Sequence, residues 1–209
     1  MQVNPPTKPE QAMSRLINAL LPYAATMNTP PRKRITWGCG AETNLYIFLD
    51  GELSVLRSSD NLVLITVYKP HLFGIAEMIQ PLHSHILRVE TNSTILRIRA
   101  SEARTIFRKE NLWEDVSVLL SYNSAYMSYR DNQVVQQRTY SIIRNFLLEL
   151  ILLPNETRMR VSVLAYIQER THLSRSSIFN VLCALKKGGY INLSRGGYLV
   201  EIKLLPSGF

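Results

Sequence analysis

The feature that most constrains this chain is a single change of hydrophobic period. Between Arg32 and Arg99 apolar residues alternate in short runs; before and after that stretch they recur at helical spacing. Strands and helices are thus segregated along the chain, which is the pattern of an α+β protein. Before the change, Met13, Leu16, Ile17, Leu20 and Leu21 put one apolar stripe on a helix over Pro9–Leu21. After it, Ile35 and Trp37 alternate with polar residues, and Gly38-Cys39-Gly40 turns the chain. Strands are predicted at Leu45–Leu49, Leu53–Leu56, Leu62–Tyr68, Ile86–Thr91 and Thr94–Arg99. Asp50-Gly51, Ser58–Asn61, Lys69-Pro70 and Asn92-Ser93 separate or end them. Short strands at this spacing predict an antiparallel barrel or roll.

From Ser101 the chain is helical. A short helix runs to Lys109 and a long one from Leu112 to Val135. Along the long helix Leu112, Val116, Leu119, Asn123, Tyr126, Arg130 and Gln133 step by four and three, and Val116, Leu120, Met127 and Val134 form an adjacent line, as in a coiled-coil seam. Asn123 stands where a polar residue fixes register, so the helix is expected to form a homodimer. The bland alternative is a helix packed on its own barrel. Helices are then predicted at Tyr140–Leu153 and Arg160–Thr171, the latter with Val163, Leu164 and Ile167 inward.

The stretch Leu173–Gly189 is read as a DNA-recognition helix. Ile178, Val181, Leu182 and Leu185 make its buried stripe, and Cys183 lies near that stripe. Arg175, Ser176, Ser177 and Asn180 lie off it, and these side-chain types bond base edges and phosphates. Lys186 and Lys187 occupy the last turn, where they also suit the helix dipole, and Gly188-Gly189 ends it. Two strands, Tyr190–Leu193 and Tyr198–Ile202, then flank Ser194-Arg195-Gly196-Gly197, a hairpin with a cationic tip. Helix, helix, turn, helix and hairpin together define a winged helix-turn-helix. The expected domains are 1–100, an N-terminal helix with a β-roll; 101–136, the short helix and the dimerisation helix; and 137–209, the winged helix.

Charge agrees with that reading. Of the formal net charge of +8, residues 137–209 contribute ten Lys/Arg against four Asp/Glu. A basic C-terminal module is expected to meet a polyanion, with nucleic acid ahead of a membrane surface. The start is polar and proline-rich, without a signal peptide, and the most apolar run, Phe146–Leu153, is too short to span a bilayer. The expectation is a cytoplasmic protein with no membrane partner. Two cysteines are too few for a disulfide framework or an Fe–S site.

In order along the chain, three motifs resemble the Crp/Fnr family of bacterial transcription regulators. Leu45-Tyr46-Ile47-Phe48-Leu49-Asp50-Gly51-Glu52-Leu53-Ser54-Val55-Leu56 is similar to the family's roll hairpin. Phe73-Gly74-Ile75-Ala76-Glu77 is similar to its Phe-Gly-Glu turn, and Leu173-Ser174-Arg175-Ser176-Ser177-Ile178 to the start of its recognition helix. More narrowly, the chain length and the segment Thr171–Ile191 resemble the divergent regulators called inhibitors of hydrogen-peroxide resistance. The resemblance implies a cyclic-nucleotide-binding-domain-like roll, a homodimer on a palindromic double-stranded DNA operator, contact with RNA polymerase and a role in peroxide stress. It also implies base reading by Arg175, Ser176 and Asn180, phosphate bonding by Ser174 and Ser177, and non-specific affinity from Lys186, Lys187 and Arg195.

Departures from the family matter. His172 stands at a turn position usually held by Gly, and Arg170 where an apolar residue is usual. Cyclic-nucleotide binders carry an Arg-Ser pair that clamps the phosphate; this chain has Ser84-His85 there, without the guanidinium. A cyclic nucleotide is therefore not the expected effector, and no cofactor is read. His83, His85 and Glu90 have the spacing of a cupin metal motif, but the flanking Gly and the second motif are missing, so they are read as loop and strand residues, with His71 a loop residue too. Cys39, near Arg32–Arg34, is a candidate redox thiol. There is no nucleophile elbow, P-loop or carboxylate pair. The chain is read as a regulator and not an enzyme, with a metal- or ligand-dependent roll enzyme and a protein-interaction adaptor as the rival classes.

Overall fold

The computed structural model describes residues 5–38, 42–81, 83–135 and 137–206. The chain divides into two compact units, one ending at Tyr129 and the other beginning at Arg130.

The first unit opens with helix α1 (Glu10–Leu20), followed by eight strands: β1 (Ala25–Thr26), β2 (Arg34–Ile35), β3 (Asn44–Asp50), β4 (Leu53–Arg57), β5 (Val63–Val67), β6 (His71–Phe73), β7 (His85–Val89) and β8 (Thr94–Arg99). They form two four-stranded antiparallel sheets, ordered β1-β8-β3-β6 and β2-β7-β4-β5. Strand β3 explains its own apolar run, because it is buried on both faces. Tyr46 and Phe48 enter the core between the sheets with Trp37, Leu53, Leu87 and Ile95. Leu45 and Ile47 enter a second core with Met13, Leu16 and Leu20 of α1 and with Phe107 of helix α3 (Ala100–Lys109). The family-like turn after β6 also has a physical cause. Gly74 has φ +96°, and a Cβ there would meet the Asn44 carbonyl oxygen at 2.7 Å. Past it the chain forms the short helix α2 (Ile75–Ile79).

Helix α4 (Trp113–Val134) corrects the seam drawn from sequence. Leu112, Val116 and Leu119 are buried in the same core as α1 and α3, so they are consumed within one chain. Leu120, Asn123 and Met127 are half-buried beside the roll. Spacing alone could not separate a stripe facing a partner from one facing the roll. The Arg15 guanidinium ties α1 to α4 through a two-point pair with Asp115, in which Nε donates to Oδ2 at 2.9 Å and Nη2 to Oδ1.

The second unit contains helices α5 (Thr139–Ile151), α6 (Asn155–Arg158), α7 (Val163–Gln168) and α8 (Arg175–Lys187), then strands β9 (Ile191–Leu193) and β10 (Leu199–Ile202). Its core is Ile143, Phe146, Leu147 and Leu150 of α5, Tyr166 and Ile167 of α7, Ile178, Leu182 and Leu185 of α8, and Ile191 and Leu199 of the hairpin. The helix expected over Arg160–Thr171 is shorter. Ser162 is extended and caps it, its hydroxyl accepting from the Ala165 N–H at 3.3 Å. Val163 and Ile167 are buried, joined by Tyr166, and Leu164 packs half-buried against the same core. The histidine at 71 also differs from expectation: it lies in strand β6 and is buried.

Candidate nucleic-acid interface

Helix α8 begins at a serine cap. The Ser174 Oγ accepts from the Ser177 N–H at 3.1 Å and lies 2.9 Å and 2.8 Å from the hydroxyls of Ser176 and Ser177. One donor left over at the helix start is thereby satisfied within the chain. With Ile178, Leu182 and Leu185 turned inward, Arg175, Ser176, Asn180, Lys186 and Lys187 are all exposed, and Ser177 is half-buried. Sequence reading missed Phe179, which is 57% exposed on this same outward face. It also placed Cys183 near the buried stripe, whereas the thiol is exposed one turn beyond Phe179. The candidate redox thiol, Cys39, lies outside the described residues.

The approach to α8 is built around the two departures noted above. Arg170 is 7% exposed, yet it occupies the apolar position without conflict. Its guanidinium lies 3.6 Å from the centre of the Tyr166 ring, and its Nη1 donates to the Tyr166 carbonyl at 3.2 Å. The flat cation thus serves as a hydrophobic plate with its charge facing a π-system. The Arg170 carbonyl in turn accepts from Arg130 Nη2 at 3.0 Å, and the Arg130 guanidinium sits 4.8 Å from the Phe146 ring centre. Thr171 closes the turn, its hydroxyl donating to the Ile167 carbonyl at 2.8 Å. No glycine is needed at His172, which is exposed, because no positive φ occurs there.

The wing is anchored to the first helix of the motif, the Val163 N–H donating to the Gly197 carbonyl at 2.9 Å. Gly196 and Gly197 have φ of +97° and +80°, which lets the tip fold tightly and leaves Arg195 exposed. Between Arg170 and Val200 the sequence holds no Asp or Glu. Among the described residues no carboxylate pairs with Arg175, Lys186, Lys187 or Arg195. These cations are available to an external anion, with only water to displace.

The roll holds a separate cavity of about 280 Å³ beside α4, lined by Trp37, Phe73, Glu77, His85, Tyr122 and Tyr126 among others. Its described lining contains no Lys or Arg. Glu77 is buried, with its carboxylate 3.8 Å from His85 Nδ1. His71 also borders the cavity; burial first, and then the Lys8 charge, push its pKa down to about 3, so it is neutral at pH 7. The cupin-like trio is not a cluster: Glu90 accepts from Arg88 Nε at 2.8 Å. No group of three or more His, Cys, Asp or Glu side chains suited to a metal occurs among the described residues. No described helix is long and apolar enough to cross a membrane.

A β-roll, a long helix and a basic winged helix-turn-helix make up a fold of the Crp/Fnr type that ends in a DNA-binding module. Residues 139–207 match the family of winged helix-turn-helix DNA-binding domains. The fold resembles that of the c-di-GMP-responsive global regulator of Xanthomonas campestris, with TM-score 0.74, 18% identity, 91% of this chain and 100% of that chain covered. It also resembles a CRP-family transcriptional regulator of Thermus thermophilus, with TM-score 0.62, 19% identity, 84% of this chain and 92% of that chain covered. Over 202 residues the chain is 31% identical to the inhibitor of hydrogen peroxide resistance of Escherichia coli K12, covering 96% of this chain and 97% of that protein. It is 29% identical over 205 residues to the inhibitor of Salmonella typhimurium, with the same coverage. The chain belongs to the inhibitor-of-hydrogen-peroxide-resistance family.

Proposed function

We propose that this regulator acts as a homodimer on palindromic DNA, reads sequence with α8, and takes part in the response to peroxide without a cyclic nucleotide as effector. The observation that carries the reading is the outward face of α8, where Arg175, Ser176 and Asn180 stand exposed. They lie between a capped N-terminus and the basic pair Lys186-Lys187, in a stretch of sequence without Asp or Glu. Arg can pair bidentately with guanine and Asn with adenine in the major groove. Lys186, Lys187 and Arg195 would contribute affinity that is independent of sequence and falls with salt.

Support for the dimer comes from the second half of α4. Tyr122, Tyr126 and Tyr129 form a ladder of tilted rings with centres 6.2 Å and 5.9 Å apart, yet each is only half-buried in one chain. A second copy would cover them. Support for independence from cyclic nucleotides comes from the roll cavity, where a buried carboxylate and no described cation would face an anionic phosphate. The peroxide role rests on the names of the curated relatives. The test is a gel shift at controlled salt with the parent, Arg175→Ala and Asn180→Ala, accompanied by sedimentation velocity. Specific binding that survives both substitutions, or a monomer at binding concentrations, overturns the reading.

A further inference from the structure

Phe179 is the large apolar side chain on a face otherwise made of polar donors and cations. It lies one turn from Arg175, next to Asn180, and one turn before Cys183, at the edge of the outward face, about 100° around the helix from the buried Ile178. A single exposed hydrophobe needs no explanation in general. Its position decides the matter here: a helix entering the major groove along this face carries the phenyl ring to the base edges. The thymine C5 methyl is the apolar group displayed there, and it is absent from the other three bases. Apolar wedges that part base steps work from the minor groove, so this geometry calls for contact rather than intercalation.

We infer that Phe179 is a specificity-determining residue that reads a thymine methyl group in each half-site, beside the bases facing Arg175 and Asn180. The inference rests on the reading of α8 as the recognition helix. It adds an apolar element to a polar recognition set and predicts a preference for thymine over cytosine at one position per half-site.

The experiment uses the full chain and the duplex it selects from a random DNA pool. Each thymine is replaced in turn by deoxyuridine, which removes the methyl group and leaves the hydrogen-bonding edge intact. At one position per half-site the parent should lose about four-fold in affinity, the worth of one buried methyl group. Phe179→Ala should bind the thymine duplex about as weakly and lose all response to deoxyuridine at that position, whereas Phe179→Leu should keep part of it. A Phe179→Ala variant with the parent's full response, or a parent that responds nowhere, overturns the inference. If the parent selects no sequence at all, the recognition-helix reading itself fails, and that is seen before any Phe179 variant is made.

Discussion

Replacing Arg170 by alanine should destabilise the winged-helix unit by about 2 kcal/mol. Its guanidinium lies 3.6 Å over the Tyr166 ring, a desolvated contact worth about 2 kcal/mol. The hydrogen bond to the Tyr166 carbonyl, made by a charged donor, is worth about 1.5 kcal/mol. Against these, deleting the guanidinium also removes the cost of burying it. For a unit of this size the net loss lowers Tm by about 10 °C. Arg170→Met is the informative control. It keeps an unbranched, polarisable chain on the ring and removes the buried charge, so its cost should stay below about 1 kcal/mol. Thermal unfolding followed by far-ultraviolet circular dichroism reads both variants. An Arg170→Ala variant that melts with the parent would show that stacking does not hold the turn before α8.

Further predictions concern charge and pH. Lys186→Ala, Lys187→Ala and Arg195→Ala should each weaken binding to all DNA sequences alike and reduce the slope of log affinity against log salt by about 1, measured by fluorescence anisotropy. The Asp115 carboxyl is held below its usual pKa, first by its hydrogen bond from Arg15 and further by that residue's charge. The stability this pair supplies is complete above the ordinary carboxylate range and is lost as pH falls through the lowered value, so urea unfolding of Asp115→Asn should be less sensitive to acid there. His71 works over a different window. Its pKa falls from 6.5 to about 3, so the unfolded chain binds the proton first, and stability declines as pH drops from 6.5 towards 3. His71→Leu should flatten that decline and leave the pH dependence above pH 7 as it is in the parent.

The parts legible in the sequence are those whose period survives over several turns or strands. The stripe of α1, the run of β3 and the Ile178, Leu182 and Leu185 face of α8 are each long enough to show their period and are placed as expected. Strands β1 and β6 and helices α2 and α6 have two to five residues each, too few for a period, and they exist because neighbours pair or pack with them. Arg170 was legible as a departure but not as a solution, since stacking on Tyr166 depends on the path of the turn. The seam on α4 misled because Leu112, Val116 and Leu119 satisfy heptad spacing while packing on their own roll. Phe179 had a signal available: helical phase puts it outside the Ile178, Leu182 and Leu185 stripe, one turn from Arg175. Attention to polar base-reading types passed over it.

The central claim is that α8 reads DNA sequence through Arg175 and Asn180. Selection from a random duplex pool, run in parallel with the parent, Arg175→Ala and Asn180→Ala, tests it most directly. The parent should enrich an inverted repeat whose half-site centres lie one helical turn apart, about 34 Å. Each variant should lose preference at its own base position, with about 1–3 kcal/mol of discrimination gone and the salt-dependent background retained. Enrichment of no sequence by the parent, or of the same sequence with equal affinity by all three proteins, would contradict the account.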